Sequence, residues 1–353
     1  VIKVVENMHK VYLADNSFSG HHKVYLDSLL AIDSTIDISI ETKFNQDKIN
    51  INYYLDRYKF INNITSMIEG PNNSLILHLL YIDNLYTNPV FPSFLKNHTI
   101  IGTLHHYPQN KIKMKLLKIF SRKITLIIVH SEYIKNILKK NGISNVEVVH
   151  YPSFYEYEMI SDKYAIKKDL GIPTDKIVLS ALGGTRSDKG LDILLESFKY
   201  IPDDIKRKVL LNIVGKEETY NEEFINEKIK NYGINSRIYL DFVSDEDFIS
   251  NVLISDFIIL PYRKFFTGNS GPMTESIRNN IPVIGPDYGN LGYLINKYNL
   301  GYTFDVEDPI SLATTITNGI ENKNRDFKSK YSEYISVEKF KESYKNLYKG
   351  LAK

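Results

Sequence analysis

IVLSALGGTRSDKGLDILLESF, residues Ile177–Phe198, runs from an apolar stretch through a glycine-punctuated polar turn into a helical pattern. A short strand, a turn and an amphipathic helix in that order form half of a parallel βαβ unit. The alternation extends both ways from this segment. Downstream, strands are predicted at Val209–Val214, Ile238–Phe242, Phe257–Leu260 and Val283–Gly285, each leading into a helical stretch. Upstream, strands are predicted near Val11–Ala14, Ile36–Ile40, Leu75–Leu80, Thr99–Leu104, Thr125–Val129 and Val146–Val149, with helices near Lys23–Ala31, Tyr53–Ile68 and Tyr133–Lys140. YPSFYEY at 151–157 breaks the pattern with a proline and reads as a linker. The expectation is an α/β protein with two doubly wound Rossmann-like domains, 1–152 and 153–335, and a C-terminal helix, 336–353, packing back on the first. Ligands of such sheets lie beyond the carboxyl ends of the strands, so the active site is expected in the cleft between the domains.

The chain's 353 residues suit about two domains of roughly 100–200 residues each. A 43% hydrophobic and 24% charged composition excludes a disordered or fibrous chain. No apolar run approaches the roughly 18 residues of a membrane span and no secretory leader is visible, so the sequence reads as soluble and intracellular. The absence of cysteine excludes disulfides, thiolate nucleophiles and cysteine-ligated zinc. A net charge of +2 gives no reason to expect nucleic acid. Residues 1–150 carry 17 Lys/Arg against 12 Asp/Glu, and much of that excess falls in Lys111, Lys113, Lys115, Lys118, Arg122 and Lys123, interleaved with apolar residues. Such a helix suits either an anionic membrane surface or a solvated outer face.

The turn at Gly183–Gly190 places Gly183, Gly184 and Thr185 at a strand end and Arg186 and Lys189 beside a helix start. Backbone amides and cations together suit a phosphate or diphosphate, although a solvated glycine turn has the same composition. In TGNSGPMTESIRNNIPVIG, residues Thr267–Gly285, Pro272 suits a first helical turn. Asn269, Ser270 and Gly271 would then offer a second set of free amides. Glu275, one turn on, either accepts hydrogen bonds from sugar hydroxyls or complements the helix dipole. Asp245-Glu246-Asp247 superficially matches a metal motif, but Ser244 with Asp247 three residues later reads as a capped helix start. In the front half, Gly20-His21-His22 follows the first strand, and His105 follows the fourth. His130 and His150 also end strands, so position alone does not single out His105.

Taken in order, these segments resemble the family 4 glycosyltransferases, retaining enzymes of the two-Rossmann-domain GT-B fold. VHSEYIKNILKKNGISNVEVVHYP at 129–152 resembles that family's last front-domain unit, and GGTRSDKGLDILLESF its diphosphate loop. IYLDFVSDEDFISNVLISDFIILPYRK, which contains Phe242, is similar to the stretch leading to the donor site. GPMTESIRNNIPVIGPDYGNLGYLI is similar to the donor-binding helix and the strand beyond it. The resemblance implies that Lys189 binds the donor diphosphate, Glu275 holds the nucleotide ribose, His105 touches the donor sugar, and Gly20 lies near the phosphates. Two positions depart from the pattern. The family's arginine would fall at Gly184, so Arg186 must reach the diphosphate from a shifted place, and the first glutamate of the Glu-x7-Glu pair would fall at Gly268. Its contacts then pass to Asn269, Ser270 or backbone.

The implied chemistry is transfer from a nucleotide-diphosphate sugar, UDP favoured and GDP the alternative, to a hydroxyl of a glycan or lipid-linked acceptor, for surface polysaccharide or glycoconjugate synthesis. The front domain is expected to bind the acceptor. The expectation includes retained configuration, no cofactor, no metal and a cytoplasmic location, with peripheral contact at the inner face of the membrane as the alternative. In the family's usual picture the leaving phosphate takes the acceptor's proton. Two other readings keep the fold: a catalytically degenerate partner subunit, suggested by the two departures, and a nucleotide-sugar epimerase. A nicotinamide dehydrogenase fits less well, since neither half has G-x-G-x-x-G after its first strand.

Overall fold

The computed structural model describes residues 11–15, 17, 21–32, 36–41, 51–68, 75–88, 98–155, 162–322, 327 and 329–351. Gly20 lies outside them. The chain divides into two compact units, Val1–Phe154 with Ser336–Lys353, and Tyr155–Ile335.

In the front unit, strands β1 (Val11–Asp15), β2 (Ile36–Glu41), β3 (Ile76–Leu79), β4 (Thr99–Thr103), β5 (Leu126–Val129) and β6 (Val146–Val148) form one parallel sheet in the order β2-β1-β3-β4-β5-β6. Helices α1 (His21–Leu30), α2 (Ile51–Ile68), α3 (Lys111–Ser121) and α4 (Glu132–Lys140) connect them. A parallel sheet buries both faces, and Leu77, Leu79, Ile127 and Val129 line one while Leu13, Ile76, Ile101 and Ile128 line the other. α3 starts at the Asn110 cap and turns Met114, Leu117 and Phe120 inward.

In the rear unit, β7 (Ile177–Leu182), β8 (Val209–Val214), β9 (Ser236–Tyr239), β10 (Phe257–Ile259), β11 (Val283–Pro286) and β12 (Gly301–Phe304) form a second parallel sheet in the order β12-β11-β10-β7-β8-β9. Its helices are α5 (Lys163–Asp169), α6 (Leu191–Ser197), α7 (Asp203–Lys208), α8 (Glu222–Tyr232), α9 (Asp245–Leu253), α10 (Gly271–Arg278), α11 (Gly289–Tyr298), α12 (Pro309–Glu321) and α13 (Tyr331–Tyr334). Both domains are Rossmann-like, as the sequence alternation requires. Two details differ from expectation. β9 lies at Ser236–Tyr239 rather than 238–242, because its pairing ends where β8 ends, at Val214 with Tyr239. β12 carries too short an apolar run to be read from sequence; it follows Asn299, whose left-handed backbone (φ 53°) stops α11.

The last helix, α14 (Val337–Leu351), belongs to the front unit. Its Phe340, Tyr344 and Tyr348 pack with Tyr25, Leu26 and Leu29 of α1. Buried tyrosine hydroxyls need partners. Tyr344 shares a hydrogen bond with Tyr25 (2.5 Å), and Tyr348 with Nδ1 of the fully buried His78 (2.7 Å), whose Nε2 meets Thr103 (2.8 Å). Burial pulls His78 down to about 3 and His130 down to about 4.

Both histidines stay neutral in the folded chain at a pH where the unfolded chain protonates them. Their contribution is therefore complete above pH 6.5 and is lost as pH falls toward the folded values, at about 1.4 kcal/mol per pH unit for each histidine. Urea midpoints followed by circular dichroism should drop between pH 7 and pH 5, and His78→Asn should flatten that slope. Tyr348→Phe should cost about 1–3 kcal/mol at pH 7, because it strands one nitrogen of His78.

Candidate functional site

The rear sheet reverses direction at the β7–β10 pair: the chain leaves β7 toward β8 on one side and later returns to β10 on the other. Such a switch point opens a crevice beyond the strand ends. Here the crevice is lined by Leu182, Gly183, Gly184, Thr185 and Lys189 after β7, and by Pro261 and Tyr262 after β10.

Glycine is required at two points of the first loop. Gly183 has φ 99°, and a Cβ there would strike Lys189 Nζ. Gly190 has φ 63°, and a Cβ there would strike the Pro261 carbonyl, so only glycine lets α6 begin this close to β10. Thr185, assigned to the donor, is committed to the loop itself: its hydroxyl donates to the Tyr220 carbonyl (2.7 Å) and accepts from the Glu218 amide (2.8 Å). Arg263 fastens the turn from outside, donating to the Ser187 carbonyl (3.0 Å) and to Asp192 (2.5 Å).

Lys189 is thereby held with its ammonium behind Gly183, without a hydrogen bond or ion pair among the described residues. Desolvation and then the Arg186 charge lower its pKa to about 8. Arg186 itself is not free: both arms of its fork engage Asp188 at 2.9 Å, and that pairing raises its pKa. The Gly184 and Arg186 amides make no hydrogen bond among the described residues.

The second corner is built by α10. Ser270 caps it, accepting from the Met273 amide (3.3 Å), and its hydroxyl also meets the Tyr262 hydroxyl (3.2 Å). Tyr262 is buried, which pushes its pKa up to about 12, and its ring lies 6.0 Å from Lys189 Nζ. This one side chain therefore touches both corners. The amides of Asn269, Ser270 and Gly271 are unbonded among the described residues, and the buried Asn269 Nδ2 has no partner. Gly268 is buried beside them. Glu275 is 2% exposed on α10; burial, then the charges of Asp245 and Glu275, raises the pKa of the Tyr155 hydroxyl. Phe242 is 79% exposed in the loop before α9, and Ser244 caps that helix as expected.

In the front unit, His105 follows β4 and is buried, with Nε2 on the Leu80 carbonyl (3.0 Å) and its ring stacked on Tyr81 (3.8 Å). Burial, then His130, lowers its pKa. Asp83, overlooked in the sequence, accepts from the His105 amide (3.1 Å) and the His106 amide (2.5 Å) and so fixes this loop. Arg263, Tyr262 and Asp83 leave no signal of their own in a single sequence, because each acts through a turn that only the fold closes. Among the described residues no group of three or more His, Cys, Asp or Glu side chains is placed to hold a metal.

Residues 162–336 match the model of the glycosyl transferases group 1 family. An uncharacterized glycosyltransferase of Methanocaldococcus jannaschii is 24% identical over 240 residues, 66% of this chain and 60% of that protein's length. Among solved structures, Anabaena HepE in complex with UDP superposes with a TM-score of 0.73 at 13% identity, covering 97% of this chain and 100% of that one. Sucrose-phosphate synthase of Thermosynechococcus elongatus gives 0.72 at 13%, covering 97% and 98%. The fold is that of the GT-B glycosyltransferases.

An unpaired, desolvated ammonium costs stability in the empty protein. Lys189→Met keeps the length and removes the charge. Its urea midpoint at pH 7 should rise, by about 1–2 kcal/mol in unfolding free energy, where a merely structural lysine would lose stability.

Proposed function

We propose that the protein is a glycosyltransferase that takes a sugar from a nucleotide diphosphate, with UDP favoured over GDP, and delivers it with retained configuration to a hydroxyl of a glycan or lipid-linked acceptor. The observation that carries this reading is the Lys189 ammonium, unpaired at a switch point and flanked by unbonded amides. Charge builds on the diphosphate as the sugar–phosphate bond breaks, and preorganised donors aimed at that charge lower the barrier. Lys189, the Gly184 and Arg186 amides and the start of α10 supply such donors. Arg186 contributes after exchanging Asp188 for a phosphate, an exchange its half-exposed position allows. Glu275 takes the ribose hydroxyls. Asn269 Nδ2, in want of an acceptor, takes the contact to the sugar that Gly268 lacks. His105 has Nδ1 left for a ligand.

UDP is favoured because HepE was solved with UDP and UDP-glucose. The charge is met by Lys189 and amides, so the proposed reaction is metal-independent and should proceed in EDTA. A thermal-shift panel of nucleoside diphosphates and their sugars, followed by transfer assays, tests the reading. Lys189→Ala should abolish donor-dependent stabilisation, and Glu275→Ala should weaken binding by about 1–3 kcal/mol. Absence of any nucleotide shift in the wild type would refute the assignment.

We also propose that α3 brings the enzyme to an anionic membrane at the cytoplasmic face. Ile112 and Ile119 are 70% and 55% exposed on the same helix as Lys111, Lys113, Lys115 and Lys118. Apolar contact and lysine charge add in such a helix. No described helix is long and apolar enough to cross a membrane. Liposomes with anionic lipid should float the wild type and not the variant with all four lysines changed to Ser; equal flotation contradicts the surface.

A further inference from the structure

The front sheet has a switch point of its own, between β1 and β3. Asp15 is the last residue of β1, with its side chain inaccessible, and His22 is the second residue of α1, about a quarter exposed. Nδ1 of His22 lies 2.9 and 3.1 Å from the two Asp15 carboxylate oxygens. Its ring stacks on Tyr81 at 3.7 Å, and Tyr81 stacks in turn on His105. Carboxylate and stack together fix the ring in place and in tilt.

We propose that His22, aligned by Asp15, binds a hydroxyl of the acceptor sugar. In the neutral imidazole with Nδ1–H donated to the carboxylate, Nε2 carries the lone pair and points away from Asp15. Nε2 has no partner among the described residues. A purely structural pair would be expected to satisfy the carboxylate, but Asp15 already accepts from the Ser17 amide (3.2 Å) and so holds that loop without His22. The ligand class follows from charge. The carboxylate behind the ring disfavours an anion, and Lys23, next in sequence, is paired with Asp27 (2.7 Å). His105 and, 4.8 Å from it, His130 have their pKa values lowered by burial and bring no charge. A lone-pair acceptor backed by a carboxylate selects an O–H donor, which a sugar supplies and an ionised phosphate ester does not.

This assignment rests on the proposed transferase function, and its test separates the two. The full chain, labelled with 15N at histidine, is titrated with D-glucose, D-galactose and N-acetylglucosamine, with and without UDP. At least one sugar should move the His22 Nε2 resonance saturably. His22→Phe, which keeps the stack on Tyr81, should lose that sugar's binding; Asp15→Asn, which disturbs the tautomer, should weaken it about 3–10-fold; His22→Gln, which restores an acceptor, should recover part of it. An unmoved His22 resonance with all three sugars, or wild-type sugar affinity in His22→Phe, overturns the proposal. UDP-dependent stabilisation in the same samples reports the rear domain separately, so its absence sinks the donor reading whatever His22 does.

Discussion

A lysine ammonium drawn partly out of water, with no carboxylate within ion-pair distance among the described residues, is the constraint around which the rear domain is organised. Gly183 leaves room for Nζ, and Gly190 lets α6 start against the Pro261 carbonyl. Arg263 pins Ser187 and Asp192 and so holds the backbone of the turn that carries the lysine. Asp188, one of two carboxylates whose charge reaches Lys189, is hydrogen-bonded instead by Arg186. The result is a cation without a hydrogen bond or ion pair among the described residues. Strain or unpaired charge of this kind persists only where the surrounding structure over-determines it, as at a ligand site.

Rigidity within the rear domain supports that arrangement. Tyr262 joins the corners, touching the Ser270 cap with its hydroxyl while its ring faces Lys189. Donors that do not reorganise at the moment of reaction are the ones that count toward stabilising developing charge. In the front domain, His78, Thr103, Tyr25, Tyr344 and Tyr348 form a buried polar network that ties α14 to the sheet. Such a network is favourable only while its members stay neutral and paired, which makes acid its natural denaturant.

The fold was legible because parallel strands buried on both faces appear as continuous apolar runs; β7 and β8 fall at the residues their patterns name. β9 and β12 were not, since an edge strand's limits are set by its neighbour's length and by a left-handed stop rather than by its own residues. At the site, the helix start at Ser270 and the turn at Gly183–Gly190 were visible as local chemistry. What those side chains touch was not. Whether Arg186 faces a ligand or Asp188, and whether Thr185 lines a pocket or clamps a loop, depends on turn geometry and on residues 33–76 positions away. The Asp15–His22 pair is seven residues apart across a strand end, a separation that carries no periodic signal.

The most direct test is the proton balance of UDP binding. Desolvation and then the Arg186 charge lower the Lys189 pKa to about 8, and a diphosphate bound beside it stabilises its charged form. Isothermal calorimetry at pH 8, in buffers of different ionisation enthalpy, should register uptake of a fraction of a proton per UDP bound, with no such uptake in Lys189→Met. Binding with no proton uptake in the wild type, or with uptake unchanged in Lys189→Met, would contradict the account.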